Sequence, residues 1–275
     1  MDTTFQALIM GIVQGLTEFL PVSSSGHLVI VPHLLGWTDP FITSLAFSVM
    51  LHLGTLVALL VYFWKDWLAI VPAGFAALRD RSFKGDPNRR LAWLLVVATI
   101  PAVIAGPILN DRLEATVRTA EDVAIALVIG AAILWLADQA GRKTRQIEAV
   151  SFPLALVIGV AQAIALVPGI SRAGMSISAG LFAGLTREAA ARFSFLMATP
   201  VIAGAGLFEV RKLITGEAGV AIQLVPLVVG MVAALVSGLL AISVLLRFVR
   251  THSYGIFVAE RLVVAGLVLV VFLSR

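Results

Sequence analysis

Within fourteen positions, Gln14-Gly15-Leu16-Thr17-Glu18-Phe19-Leu20-Pro21-Val22-Ser23-Ser24-Ser25-Gly26-His27, the chain sets an amide, a carboxylate, three hydroxyls and an imidazole. The surroundings are almost wholly apolar. Gln14 and Glu18 are four apart and share one helix face. Pro21 ends that helix, because it lacks an N–H and restricts the residue before it. Ser23, Ser24 and Ser25 then occupy a break where hydroxyls and freed backbone amides can line an anionic pocket. Gly26-His27 opens a return helix, whose N-terminal dipole end points into the same pocket.

A second polar stretch, Pro168-Gly169-Ile170-Ser171-Arg172-Ala173-Gly174-Met175-Ser176, supplies a guanidinium. Arg172 stays charged and offers a planar fork suited to phosphate oxygens, with Ser171 and Ser176 as further donors. The bland alternatives are serines that only cap helices, a histidine on a buried carbonyl, and an arginine snorkelling to the interface. Ionisable groups at membrane depth cost about 2.5–3.5 kcal/mol each on insertion scales, which argues that the whole set serves a site.

The elements that must position these residues are membrane helices. Of 275 residues, 60% are hydrophobic and 13% charged, about half the charge of a soluble domain, with mean hydropathy +1.01. The net charge of +4 and pI near 10.0 read as loop charge that orients the chain in a bilayer, not as a nucleic-acid surface. Cysteine is absent, which excludes disulfides and thiolate chemistry. The N-terminus lacks the basic region of a signal peptide, so the first apolar run reads as part of the fold. No GxxxxGK[ST], HExxH or His/Cys zinc pattern occurs.

Runs 41–64, 91–109, 121–140, 193–210, 221–246 and 256–273 are each read as a span, against the ~20 residues a crossing needs. Runs 5–36 and 152–185 are each two short pieces around a Pro/Gly/Ser break. Segments 65–90, 141–150 and 247–255 are basic and belong in the cytoplasm; segment 110–122 is acidic and belongs outside. The crossings then balance only if 152–185 adds none or two, and its pieces are too short for two. It is therefore a re-entrant hairpin.

An internal repeat extends this to 5–36. Gly11-Ile-Val-Gln14 recurs as Gly159-Val-Ala-Gln162, Pro21-Val-Ser-Ser24 as Pro168-Gly-Ile-Ser171, and Phe47-Ser48 as Phe193-Ser194, at offsets of 148, 147 and 146. The expected architecture is an all-α polytopic membrane protein of two inverted-topology repeats, 1–140 and 150–275. A cytoplasmic linker, 141–149, joins them. Each repeat is a re-entrant helical hairpin followed by three transmembrane helices. His52 reads as a packing residue, and Gln162, which repeats Gln14, as the better candidate of the two. Arg187, Glu188 and Arg192 read as interfacial charges, and Trp37, Trp64, Trp67, Trp93 and Trp135 as interface anchors.

At these two stretches the chain resembles the undecaprenyl-diphosphate phosphatase family, integral membrane phosphatases linked to bacitracin resistance. The resemblance is carried by Gln14-Gly-Leu-Thr-Glu18, Pro21-Val-Ser-Ser-Ser-Gly-His27, Pro168-Gly-Ile-Ser-Arg-Ala-Gly-Met-Ser176 and the run Phe193-Ser194-Phe195-Leu196. It implies hydrolysis of undecaprenyl diphosphate to undecaprenyl phosphate, recycling the carrier for cell-wall synthesis. It further implies the bacterial cytoplasmic membrane, a site opening to the periplasmic side, and Mg²⁺ or Ca²⁺, with Glu18 as the metal ligand. Carried over by position, Glu18, Ser24, His27 and Arg172 are catalytic, with Gln14, Ser23, Ser171, Ser176 and Arg172 binding substrate. Position 14 is Gln where many members have Glu, and Ala173 replaces a serine.

On this reading Arg172 neutralises the terminal phosphate. Ser24 attacks or orients water, His27 is the nearby base or acid, and Glu18 holds the cation or orients His27. The partners are a polyprenyl diphosphate and the bilayer, without nucleic acid; a homodimer is left open. The alternative function is a lipid-phosphate flippase or anion transporter, since inverted repeats with broken helices also build transporters.

Overall fold

The computed structural model describes residues 2–116, 119–215 and 221–273. Of the acidic segment 110–122, residues 117 and 118 lie outside them, as do 216–220 and the extreme termini of the two expected repeats. Among the described residues the chain is helical, with a single isolated bridge between Arg145 and Leu185. A hairpin of α1 (Thr3–Phe19) and α2 (Ser24–Leu35) leads into α3 (Leu45–Tyr62), α4 (Trp64–Asp80), α5 (Pro87–Thr116) and α6 (Ala120–Ala140). A second hairpin, α7 (Phe152–Ile164) and α8 (Arg172–Phe182), leads into α9 (Arg187–Thr215), α10 (Leu224–Phe248) and α11 (Gly255–Leu273).

Helices α3, α6 and α10, with Pro87–Ile108 of α5 and Arg187–Lys212 of α9, are long and apolar enough to cross a membrane. Their outward faces carry exposed Val103, Ile125, Leu207, Val236 and Leu240, as lipid-facing helices should. The protein is therefore a multi-pass membrane protein. By contrast α1, α2, α7 and α8 have 17, 12, 13 and 11 residues, and at about 1.5 Å per residue all fall short of the ~30 Å hydrocarbon core.

Helix α4 is the long element that the sequence reading lacked among the described residues. Segment 65–90 was expected as a basic connection, but residues 64–80 of it and its edge are helical. Ile70, Ala73 and Ala77, at helical spacing, bury one face against α5, while Leu68, Val71, Phe75 and Leu78 stay exposed. Trp93, expected as an interface anchor, instead donates its indole N–H to Gly74 O of α4 at 3.2 Å. At the α4–α5 turn, hydrogen bonds from Arg79 and Arg89 hold the Asp80 carboxyl below the usual carboxylate range.

The basic connections gather at one end. Arg90 donates to Glu148 O (3.0 Å), Arg250 to Glu188 (2.6 Å) and Arg187 to the buried Asp138 (2.6 Å); Arg192 pairs with Asp66. Asp138 also accepts the Tyr254 amide at 3.0 Å, so Arg187, expected as an interfacial charge, also has a buried structural partner. Segment 141–149 is pinned on the α8–α9 turn, where the amides of Thr144 and Arg145 share Gly184 O at 3.0 and 2.9 Å.

Helix α1 lies along α10, and α7 along α5; α3 meets α9, and α6 meets α11. Both hairpin contacts depend on glycine. A Cβ on Gly11 would come within 2.2 Å of Gly230 O, and one on Gly159 within 2.3 Å of Ala98 O. In lipid, where apolar burial does not drive association, such close backbone approach is a main source of helix–helix attraction. Gly11→Val is expected to cost about 1–3 kcal/mol or more through forced separation of α1 and α10, read as a lowered Tm in detergent.

Candidate active site

The two breaks adopt one local geometry. Ser23 caps α2 with φ 77° and Ser171 caps α8 with φ 77°, a left-handed setting that non-glycine residues rarely hold. Each serine spends its side chain on its own helix: Ser23 Oγ accepts the Gly26 amide (3.4 Å) and Ser171 Oγ the Gly174 amide (3.1 Å). Strain of this kind persists only where surrounding contacts over-determine it, and it concentrates at functional sites.

Those contacts come from α11. Arg261 is fully buried; its Nε donates to Pro21 O at 2.5 Å and its Nη1 to Ile170 O at 3.3 Å. One guanidinium thereby ties the last turn before Ser23 to the last turn before Ser171. Gly130 and Gly174 make room for it, since a Cβ at either would approach a guanidinium nitrogen to 2.3 Å.

With the tips so joined, Glu18 becomes the junction. It is buried at the end of α1, and its Oε1 accepts from Arg172 Nη2 on the opposite hairpin. Its Oε2 accepts Ser24 Oγ at 2.5 Å and Gln14 Nε2 at 3.0 Å, with His52 Nε2 at 3.4 Å. His52 Nδ1 faces Ser48 O at 2.7 Å, which fixes the ring. Arg172 Nη1 is buried with no partner, and so is Gln14 Oε1. A donor and an acceptor are thus free beside a carboxylate and a polarised hydroxyl.

The geometry brings some of the expected site residues together and places others elsewhere. Gln14, Glu18, Ser24 and Arg172 converge. His27 does not serve Ser24: its Nδ1 lies 2.8 Å from Ser23 O and its Nε2 2.9 Å from Glu260 Oε1. Ser24 gives its single hydroxyl proton to Glu18 instead. Ser23 and Ser171 act as caps, and buried Ser176 joins helices, donating to Arg172 O (2.8 Å) and meeting Ser194 Oγ at 2.6 Å. Gln162 is buried on α7 with both amide ends unpartnered.

Three residues escaped the sequence reading. His52 was taken as packing, yet it faces Glu18. Glu260 and Arg261 sit inside the run 256–273, which was read only as a span. The signal was present there: two adjacent charges at membrane depth, the same argument that singled out Arg172.

Comparison with known proteins bears on this junction. A family profile described as "Bacitracin resistance protein BacA" matches residues 7–267, a range that includes all but the first turn of α1 and every residue of the site described above. An "Undecaprenyl-diphosphatase" of Desulforudis audaxviator is 45% identical over 271 residues, covering 98% of each chain. One of Moorella thermoacetica is 41% identical over 273 residues (99% of each), and one of Thermomicrobium roseum 45% over 278 (98% of each). With the profile spanning residues 7–267 and relatives matched end to end, this chain belongs to the bacitracin resistance protein BacA family.

Proposed function

We infer that this protein is a membrane phosphatase that hydrolyses undecaprenyl diphosphate to undecaprenyl phosphate and inorganic phosphate. It thereby recycles the carrier for cell-wall synthesis and confers bacitracin resistance. The observation that carries this is the Ser24–Glu18–Arg172 junction: a hydroxyl donating to a carboxylate at 2.5 Å beside a guanidinium with one buried nitrogen free. The named activity of the relatives agrees with it.

Ser24 Oγ attacks the terminal phosphorus, and its proton passes to Glu18 as the Oγ–P bond forms. The bond from phosphorus to the bridging oxygen breaks, and undecaprenyl phosphate leaves. Water then attacks the phosphoserine, which releases inorganic phosphate and returns the proton to Ser24 Oγ. Glu18 also pairs with Arg172 and Gln14 and faces His52, so its lone pairs are shared. In a loose phosphoryl-transfer transition state that matters little, since positioning and charge neutralisation dominate. Arg172 Nη1 and the N-terminal ends of α2 and α8 receive the phosphate oxygens.

The family resemblance implies a divalent cation, and the residues fit one carried in on the substrate. The unpaired Gln14 Oε1 would hold it, with the lone pair of Glu18 Oε1 that Arg172 leaves open, a pattern typical of Mg²⁺, which takes one or two protein oxygens and completes its shell with phosphate and water. Among the described residues no three His, Asp or Glu side chains converge, and substrate phosphate oxygens would complete the ligand set. When bound, the cation adds positive charge against the diphosphate.

The pairing of α1 with α10 and of α7 with α5, with the shared φ of Ser23 and Ser171, supports the reading of two inverted repeats, 1–140 and 150–275. The basic end belongs in the cytoplasm of a bacterial inner membrane. The first hairpin enters from the opposite end, where Thr3 bonds Asp39 at 2.9 Å, which supports a site open to the periplasm. The test is phosphate release from undecaprenyl diphosphate by the purified chain in detergent, with and without chelator. Release that chelation abolishes is expected; no release under either condition overturns the assignment.

A further inference from the structure

We propose that Glu260 is the second carboxylate of the active site: a positioning residue that holds His27 as an imidazolium beside Ser24. The proposal rests on the phosphatase reading above and concerns a residue outside both polar hairpins.

Neither hairpin offers a second acid. Gln14 is neutral, and both oxygens of Glu18 are already engaged by Arg172, Ser24 and Gln14. Glu260 reaches the site from α11, with its Oε1 2.9 Å from His27 Nε2. On the other side of the ring, Nδ1 lies 2.8 Å from Ser23 O. Both neighbours are acceptors, so the ring satisfies both only when it carries a proton on each nitrogen.

The position of the ring gives that charge a use. His27 is three residues after Ser24 on α2, hence on the same helix face and one turn from the nucleophile, and the Glu260 carboxylate offsets the cost of a cation at the positive end of that helix. An imidazolium there adds a second cation to Arg172 beside the nucleophile. The arrangement is built and not incidental. Arg261, the next residue, is fully buried and bonded to Pro21 O and Ile170 O, so α11 is locked in register with both tips. Glu260 Oε2 is itself buried and unpartnered, an acceptor still open to a substrate hydroxyl or water.

Glu260→Gln tests the idea with little change of shape. In metal sites an orienting carboxylate behind a histidine is worth about 10- to 100-fold, and a kcat loss of that size is expected here with KM nearly unchanged. Glu260→Asp is expected to recover part of it. The deciding measurement is the double variant: once His27→Ala is in place, adding Glu260→Gln should change kcat by less than about twofold, because the two act as one unit. In chain labelled with ¹⁵N-histidine, the His27 resonances should move from the charged to the neutral form in Glu260→Gln. Equal losses in both backgrounds, or an unmoved His27 spectrum, overturn the proposal. Should the wild-type chain release no phosphate, the phosphatase reading fails, while the spectrum still decides whether Glu260 charges His27.

Discussion

Ser24→Ala is expected to lower phosphate release at saturating substrate by about 10³-fold or more, because removal of a nucleophile leaves only binding and charge stabilisation to act. The structure makes this a clean substitution. Ser24 Oγ contacts Glu18 at 2.5 Å, and the capping of α2 is done by Ser23, so the helix loses no cap. The Glu18–Arg172 pair also remains, so the stability loss should stay within about 1.5–3 kcal/mol, the range for one hydrogen bond to a charged group. A single-turnover experiment with labelled diphosphate should trap label on the parent protein and none on the variant. A loss of only a few-fold in kcat would assign the attack to water and leave Ser24 an orienting role.

Arg172→Lys and Arg172→Ala should separate charge from geometry. Lysine keeps the cation but loses the planar fork, which in the parent holds Glu18 with one nitrogen and leaves the other free. Turnover is expected to fall about 10²–10³-fold, the cost of losing one donor aimed at transition-state charge. Alanine should do more, since it strands the buried Glu18 carboxylate without its main partner, a loss of about 3–5 kcal/mol in stability. The combination Arg172→Ala with Glu18→Gln removes both charges and should restore most of the Tm without restoring turnover. If Arg172→Lys turns over like the parent, the fork has no part in binding phosphate.

Much of this arrangement was legible in the sequence. The breaks at Pro21-Val-Ser-Ser and Pro168-Gly-Ile-Ser fall where the helices stop, because proline and a run of small polar residues interrupt an apolar helix whatever surrounds it. The hairpin helices are also short, 11 to 17 residues against the ~20 a crossing needs, as the short runs in the sequence suggested. Helix α4 was not legible in the same way. It is short, it contains Pro72, and charges flank it. Only its packing on α5 makes the buried stripe of Ile70, Ala73 and Ala77 worth forming.

What the sequence determined by itself was local: which segments are helical enough for lipid, where the backbone breaks, and which residue types stand at the breaks. Those follow from nearest-neighbour chemistry and from the cost of charge in hydrocarbon. What tertiary structure alone decided was who faces whom. Glu18 and Arg172 are 154 positions apart, and His27 and Glu260 are 233 apart. No periodicity links such residues; helix packing does, and here the decisive packing is that of α11, whose Arg261 bonds both tips. It moved His27 from the base of Ser24 to the partner of Glu260, and it left the proton of Ser24 to Glu18.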